Sequence, residues 1–262
     1  MSRPRRILAA TRAGWHSFLR RRTAVFFTFF FPAIILVIFG ILVETQATSD
    51  GLFGEPPGWY IAGYIAVIVL FTPLSRVGSE VARHREGGQF EKLATTPLRR
   101  WEWLVAQTLV NAVVIGLAAL LLLGLMLAGT GAQLPLSAET ALVVPFVFVG
   151  VALFCAVGAM LGSLADSQDG VIAASNGLAV PLLFLSEAFV SRDLLPGWLP
   201  LELSPMTYLS RGLRVVTYEE GTEGVVLPSA WPLPDAYGYL LVLIAFAVVG
   251  FAVAARLLPQ TD

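Results

Sequence analysis

Residues 85–97 read REGGQFEKLATTP, a polar run in a chain that is otherwise mostly apolar. Gly87 and Gly88 predict the end of a helix that comes from the preceding apolar segment, because glycine is costly within a helix and suits its C-terminus. Thr96 and Pro97 predict the start of the next helix, with Thr96 as its N-cap and the proline at its first position.

The residues between these two breaks, 89–95, predict a short helix of their own. Phe90, Leu93 and Ala94 are spaced i, i+3 and i+4 and therefore share one face. A short helix held rigidly between two longer ones is suited to passing force from a binding partner into them. An ordinary charged loop fits the same pattern.

The composition is that of a membrane protein. Of the 262 residues, 56% are hydrophobic and 13% are charged, whereas soluble domains have about 25% charged residues. The net charge of −1 gives no overall basic field that would attract nucleic acid. The one cysteine, Cys155, lies in an apolar run, so an intramolecular disulfide is excluded and a buried, unreactive thiol is expected.

Six stretches are long and apolar enough to cross a bilayer, whose hydrocarbon core needs about 20 residues of helix. The first is longer than the apolar region of a cleaved signal peptide, so we expect it to be retained as a span. We therefore predict an all-α integral membrane protein that forms one domain over 1–262, with transmembrane helices at 24–43, 59–75, 103–128, 140–164, 171–190 and 237–255.

The distribution of basic residues orients these spans. Seven of the 17 lysine and arginine residues lie in 1–23 and six in 76–102, whereas the segments between spans one and two and between spans three and four have none. Because basic residues favour the cytoplasmic side, both basic segments and both termini are expected to be cytoplasmic in a multi-pass protein of the cell membrane. The segment 191–236 is then external.

The basic N-terminal segment, 1–23, predicts an amphipathic helix. On a helical wheel its apolar side chains fall within an arc of about 120°, and its arginines occupy the rest. We expect this helix to lie on the membrane surface, with its arginines toward anionic headgroups. A role in topology signalling alone is the alternative. The interfacial residues are Trp15, Phe18, Arg20, Arg21 and Arg22.

Small and polar residues in the later spans indicate close packing and a transport path. Gly158 and Gly162 are four residues apart, a spacing that lets helices approach closely, either within one protomer or across a dimer. Asn176 and Pro181 interrupt span five, which fits a kinked helix beside a translocation path or a kink that neighbouring helices satisfy.

The external segment is too apolar for a plain loop. Its apolar residues recur at helical spacing, for instance at Met206, Leu209 and Leu213, so we expect one or two short helices that dip into the outer leaflet or lie on it. Glu187 is a functional candidate because a partly buried acid is costly in a membrane, and an ion pair with a nearby arginine is its alternative role. The possible pathway and external gate residues are Asn176, Pro181, Glu187, Pro205, Arg211 and Arg214.

Two stretches resemble the ABC-2 type exporter permeases. Residues 85–109, REGGQFEKLATTPLRRWEWLVAQTL, resemble the signature region between spans two and three, and residues 184–214, FLSEAFVSRDLLPGWLPLELSPMTYLSRGLR, resemble the segment that follows span five. The resemblance is nearest to the drug-resistance and polysaccharide-export branch. Ser204 stands where that family usually has Asn before Pro205, and Glu187 stands where it often has Gly.

The resemblance implies a permease subunit that forms a homodimer or close heterodimer and is driven by two copies of a separate P-loop ATPase, without a cofactor of its own. The short helix then binds the ATPase, through Glu86, Gly87, Gly88, Glu91, Lys92, Leu93, Thr96 and Pro97. The residues independently favour a separate ATPase. Lys92 is the only lysine and follows a glutamate, so the chain cannot supply a Walker A loop, which needs Gly-Lys.

Two other functions fit the sequence less well. A non-ABC secondary transporter or channel is the first alternative. A proton- or ion-coupled transporter should place an ionisable or ion-coordinating group near the membrane midplane, and no predicted span has a central charge. An intramembrane enzyme needs a catalytic constellation. His16 and His84 are the only histidines, and there is no HExxH or Gly-x-Ser-x-Gly motif. We therefore expect a transporter of hydrophobic or amphipathic substrates, such as drugs, lipids or lipid-linked glycans, and not an enzyme.

Overall fold

The computed structural model describes residues 2–38, 57–129, 134–135, 138–190, 192, 195–218 and 235–258. The described residues form helices joined by turns, and none of them lies in a β-strand. This agrees with the predicted all-α fold. The α-helices of this part of the chain are α1 (Arg3–Arg20), α2 (Arg22–Leu36), α3 (Ile61–Glu86), α4 (Gln89–Ala94), α5 (Arg100–Gly129), α6 (Val143–Leu164), α7 (Gln168–Phe184), α8 (Pro205–Thr217) and α9 (Asp235–Leu257).

Four of these helices are long and apolar enough to cross a membrane. They are α3 and α6, each with the short 3-10 turn that precedes it, together with α5 and α9. Helices α3, α5, α6 and α9 correspond to the predicted spans two, three, four and six. Helices α2 and α7, which correspond to spans one and five, have 15 and 17 residues. The end of the predicted first span, 39–43, lies outside the described residues.

Helix α3 lies at the centre of the bundle, and α6 packs along it with backbone contact. A Cβ atom on Gly158 would overlap the carbonyl oxygen of Leu74, and one on Gly162 would overlap that of Gly78. Small residues at this spacing let two helices approach more closely than side chains allow. Of the two interpretations of this glycine pair, packing within one protomer is the one observed.

The bundle has two ends. Helix α4, the start of α5 and the turn between α6 and α7 lie at one end, which we call the α4 end. Helix α8 lies with the starts of α3, α6 and α9 at the other, which we call the α8 end. The predicted helix in the segment after span five is α8, and its apolar residues Met206, Leu209 and Leu213 are buried. The part of that segment at 219–234 lies outside the described residues.

Helix α1 packs lengthwise along the first half of α5. Arg6 pairs with Glu102 near the start of α5, and Phe18 packs further along against Val110 and Val114. The predicted apolar arc of α1 is therefore only partly exposed, because Phe18 is buried against α5. The exposed part of the arc includes Leu8 and Leu19. The position of α1 at a membrane surface stays a prediction.

The predicted fifth span, 171–190, is wrong at its C-terminal end. Helix α7 ends at Phe184, and Glu187 has a φ of 57°, a left-handed backbone conformation that an α-helix does not contain. The hydroxyl of Ser186 donates to the carbonyl oxygen of Leu183 at 2.8 Å. The chain therefore turns out of the helix before the predicted boundary.

The predicted start of α5 at Thr96 and Pro97 is also wrong, because the helix begins later. The hydroxyl of Thr96 donates to the carbonyl oxygen of Leu93 at 2.7 Å, so this residue closes α4. The N–H of Arg99 instead donates to the Glu102 carboxylate at 2.9 Å. This bond is half of a capping box, in which an acid at the third helical position satisfies the N-cap amide.

Candidate functional site

The junction between α3 and α4 is a tight reversal at two glycines. The N–H of Gly87 donates to the carbonyl oxygen of Arg83 at 3.0 Å, and the N–H of Gly88 donates to that of Arg85 at 3.2 Å. Gly88 has a φ of 60°, which residues with a side chain adopt only at a cost. The predicted break and the short helix after it are both present.

Three aromatic rings hold α4 against α3 and α5. The ring centroids are 5.6 Å apart for His84 and Phe90, 5.5 Å for His84 and Trp103, and 5.7 Å for Phe90 and Trp103. The His84 ring is itself fixed, because its Nδ1 lies 2.7 Å from the carbonyl oxygen of Glu80. Aromatic pairs at such separations contribute about 0.5–1.5 kcal/mol each beyond their buried area. The i, i+3, i+4 spacing predicts that Phe90 shares a face with Leu93 and Ala94, but it does not predict the two ring partners of Phe90.

The outer side of α4 is exposed. Glu91, Lys92, Thr96 and Pro97 are exposed, and Leu93 is half-buried. We call these predicted coupling residues, which lie on α4 and on the turn that follows it, the α4 surface. On the buried side of α4, the ring of Phe90 contacts His84 of α3 and Trp103 of α5. Through these rings α4 contacts both α3 and α5.

Glu86, another predicted coupling residue, forms a bond within the chain. Its Oε1 accepts a hydrogen bond from the N–H of Gln168, the first residue of α7, at 3.0 Å. The adjacent Arg85 donates to the carbonyl oxygen of Ser163 at 2.7 Å and to that of Ala165. Both residues thus join α3 to the turn between α6 and α7. No local pattern in the sequence predicts these contacts of Arg85.

Glu102 is a buried acid that the sequence analysis also missed. Its carboxylate accepts hydrogen bonds from Nε of Arg6 at 3.1 Å and from Nη2 of Arg6 at 2.5 Å, in addition to the N–H of Arg99. Its side chain is 0% exposed. The signal for it is an acid three residues after an N-cap, which becomes visible only when Arg99 is recognised as that cap.

The predicted interfacial residues of the N-terminal helix have different environments. The Arg76 guanidinium lies 4.4 Å from the ring centroid of Phe18, and Arg21 forms an ion pair with Glu80 at 3.5 Å. Trp15 is half-buried. Arg20, Arg21 and Arg22 are all exposed, although Arg21 is paired.

At the α8 end, a buried ion pair joins the turn after α7 to α8. Nε and Nη2 of Arg211 each donate to the Glu187 carboxylate at 2.6 Å, and Glu187 is 4% exposed. Burial acts to lower the pKa of Arg211, but the hydrogen bonds and charge of Glu187 raise it overall. Of the two roles considered for Glu187, the ion pair is present.

Further contacts hold the same turn. Nη2 of Arg214 donates to the carbonyl oxygen of Glu187 at 2.5 Å, and the Arg214 guanidinium stacks on Trp59 with its Cζ 3.6 Å from the ring centroid. The hydroxyl of Ser210 donates to the carbonyl oxygen of Ser186 at 2.5 Å. Pro205, the remaining predicted gate residue at this end, is the first residue of α8.

Asn176 and Pro181 lie on a different surface. Both are on α7, and both are exposed, as is Gly177 between them. A Cβ atom on Gly177 would meet nothing within 4 Å. The structure therefore does not bring these two residues together with Glu187, Arg211 and Arg214, which are buried.

No group of three or more His, Cys, Asp or Glu side chains that could hold a metal ion occurs within the described ranges. A model of the family described as ABC-2 type transporter matches residues 5–218 of the chain. A comparison with curated proteins gives no match. The match covers α1 to α8, and hence both the α4 surface and the buried ion pair at the α8 end.

Proposed function

The chain belongs to the ABC-2 type transporter family, and we propose that it is the permease subunit of an ATP-driven exporter whose ATPase is a separate chain. The observation that carries this proposal is the α4 surface. Its exposed residues stand on a helix that aromatic contacts fix to α3 and α5, so a partner bound there can move membrane helices.

The same proposal includes the topology. Six helices cross the cell membrane, with α2 and α7 completing the four that have full membrane length, and both termini are cytoplasmic. The two basic segments, 1–23 and 76–102, support this orientation, because Arg6 pairs with Glu102 at the start of α5 and 76–102 contains α4. The α8 end is then external, and its buried ion pair closes the outer side of the pathway.

We further propose that two copies of the permease face each other across α7. Asn176 is exposed on the isolated chain, and an amide facing lipid tails would lose the hydrogen bonds it makes in water. A second copy or a hydrated path removes that cost. The substrate moved outward is hydrophobic or amphipathic, such as a drug, a lipid or a lipid-linked glycan.

The proposal is tested by purifying the tagged chain from its own membranes in mild detergent and identifying the proteins that accompany it. We expect a P-loop ATPase, whose hydrolysis rate changes when the complex is reconstituted into lipid nanodiscs. The variant Glu91→Arg with Leu93→Glu should lose the ATPase. The control Glu202→Arg, at the α8 end, should retain it.

Two results would contradict the proposal. If no P-loop ATPase accompanied the unaltered chain, the proposed function would be wrong. If the ATPase remained fully bound to the α4 variant, the α4 surface would not be its binding site.

A further inference from the structure

Arg85 and Glu86 are consecutive residues of opposite charge that bind the ends of two different helices. Arg85 donates to the carbonyl oxygens of Ser163 and Ala165, at the C-terminal end of α6. Glu86 accepts the N–H of Gln168, at the N-terminal end of α7. One dipeptide at the end of α3 thus spans the whole α6–α7 turn.

The charges of the pair match the helix ends that they contact. The C-terminus of a helix carries a partial negative charge, and its last carbonyl groups lack partners within the helix. Arg85 supplies both a positive charge and donors there. The N-terminus of a helix carries a partial positive charge with free N–H groups, and Glu86 supplies a negative charge and an acceptor there.

Other contacts reinforce the connection between α3 and α7. The side-chain Nε2 of Gln168 donates to the carbonyl oxygen of Ser79 at 3.2 Å. One turn further into α7, Val171 packs closely against Gly78. A Cβ atom added to Gly78 would lie 2.6 Å from Cγ1 of Val171. The beginning of α7 is therefore attached to the last turns of α3, which lead directly into α4.

We propose that Arg85 and Glu86 are positioning residues that transmit movement of α4 to α7, the helix that carries Asn176. This inference rests on the proposed binding of an ATPase to the α4 surface. It assigns Glu86 a different role from that of the predicted coupling residues on the α4 surface. Glu91 and Lys92 bind the partner, whereas Glu86, with Arg85, passes the resulting displacement to the α6–α7 turn.

The experiment measures hydrogen exchange in the complete permease–ATPase complex in lipid nanodiscs, without nucleotide and after trapping with ATP and vanadate. It needs no transported substrate. In the unaltered complex we expect trapping to change the exchange of residues 89–96, on α4, and of residues 165–175, in the turn and the start of α7. In the variant Arg85→Gln with Glu86→Ala, the change at 89–96 remains.

The change at 165–175 in that variant should fall severalfold, because the charged hydrogen bonds to the α6–α7 turn are lost, although the contacts of Gln168 with Ser79 and of Val171 with Gly78 remain. Glu86→Gln alone should retain more of it, because the amide oxygen still accepts the N–H of Gln168. The control for the arginine is Arg83→Gln, which removes the same positive charge as Arg85→Gln but breaks an ion pair within α3, to Glu80. Both changes persist in this control.

The outcomes separate this inference from the function on which it rests. If the altered complex still showed the full change at 165–175, or if the unaltered complex showed a change only at 89–96, the transmitting role would be excluded while the ATPase binding stood. If the unaltered complex bound no ATPase, the proposed function itself would be wrong. Loss of both changes in the variant would indicate a role in ATPase binding and would likewise contradict the proposal.

Discussion

The ring of Phe90 lies against that of Trp103, with centroids 5.7 Å apart and planes inclined by 72°. This contact attaches α4 to α5, while the glycine junction attaches it to α3. The short helix therefore cannot move away from the bundle without separating the two rings. It is a fixed projection of the membrane helices and not a loop between them.

Replacing Phe90 with Ala should release α4. Phe90 is 8% exposed, and truncating a buried Phe costs about 3–5 kcal/mol in a well-packed core, so we expect faster hydrogen exchange at residues 89–96 and loss of ATPase binding. The control is Phe27→Ala, at a side chain that is 62% exposed. Unchanged exchange at α4 in the Phe90 variant would mean that the aromatic contact does not hold the helix.

Replacing Gly162 with Ala should separate α3 from α6. The added methyl group would overlap the carbonyl oxygen of Gly78 and lie 2.8 Å from Cβ of Val81, and overpacking of this kind costs about 1–3 kcal/mol. We expect a lower midpoint of thermal unfolding in detergent, measured by tryptophan fluorescence.

Gly124→Ala provides the matched control, because its Cβ atom would meet nothing within 4 Å. Alanine favours a helix over glycine by about 1 kcal/mol, so this variant should be as stable as the parent or more stable. Equal midpoints for the Gly162 and Gly124 variants would show that the close contact between the helices is not needed.

Replacing Glu187 with Gln should weaken the α8 end. The change leaves the Arg211 guanidinium buried without its counter-charge, and breaking a buried ion pair costs about 3–5 kcal/mol. The double variant Glu187→Gln with Arg211→Gln should lose less than the sum of the two single changes. The measurement is the thermal midpoint in detergent, and strict additivity would exclude a direct interaction between the two side chains.

Glu187→Gly separates the backbone from the charge. Glycine relieves the left-handed conformation, which costs roughly 1–2 kcal/mol in a residue with a side chain, but it removes the ion pair as well. We therefore expect this variant to be less stable than the parent and more stable than Glu187→Ala, which also removes the ion pair but keeps the left-handed conformation in a residue with a side chain. A Glu187→Gly midpoint below that of Glu187→Ala would contradict this account of the turn.

Asn176→Cys tests the proposed dimer in a background carrying Cys155→Ala, which removes the one native thiol. If α7 faces its copy, mild oxidation in membranes should give a disulfide-linked dimer. Val248→Cys, at a residue of α9 that is 63% exposed, should stay monomeric because it faces lipid. Equal cross-linking at the two positions would argue against a specific interface at α7.

Local sequence signals predicted the features that depend on neighbours in the chain. Apolar runs gave the helices, Gly87 and Gly88 marked the end of α3, and the i, i+3, i+4 spacing around Phe90 predicted α4. The end of α7 was missed because Glu187 adopts a conformation that suits glycine and is held there by Arg211. That stabilisation comes from α8 and leaves no periodic signal near the break.

The contacts of Arg85 and Glu102 were missed for a related reason. Arg85 binds carbonyl groups near residues 163–165, and Glu102 binds Arg6, so their partners lie far away in the chain. A charged residue beside a helix end has many possible partners, and only the packing of α3 on α6 and of α1 on α5 selects one. Such pairs follow from the fold and not from spacing.

Replacing Glu102 with Gln should detach α1 from α5. The carboxylate accepts two bonds from Arg6 and one from the N–H of Arg99, whereas an amide has a single acceptor oxygen and an NH2 group that repels the guanidinium. We expect trypsin to cleave at Arg12, within α1, several times faster than in the parent. Glu139→Gln, at an exposed acid, is the matched control, and equal cleavage rates in the two variants would mean that Glu102 does not hold α1.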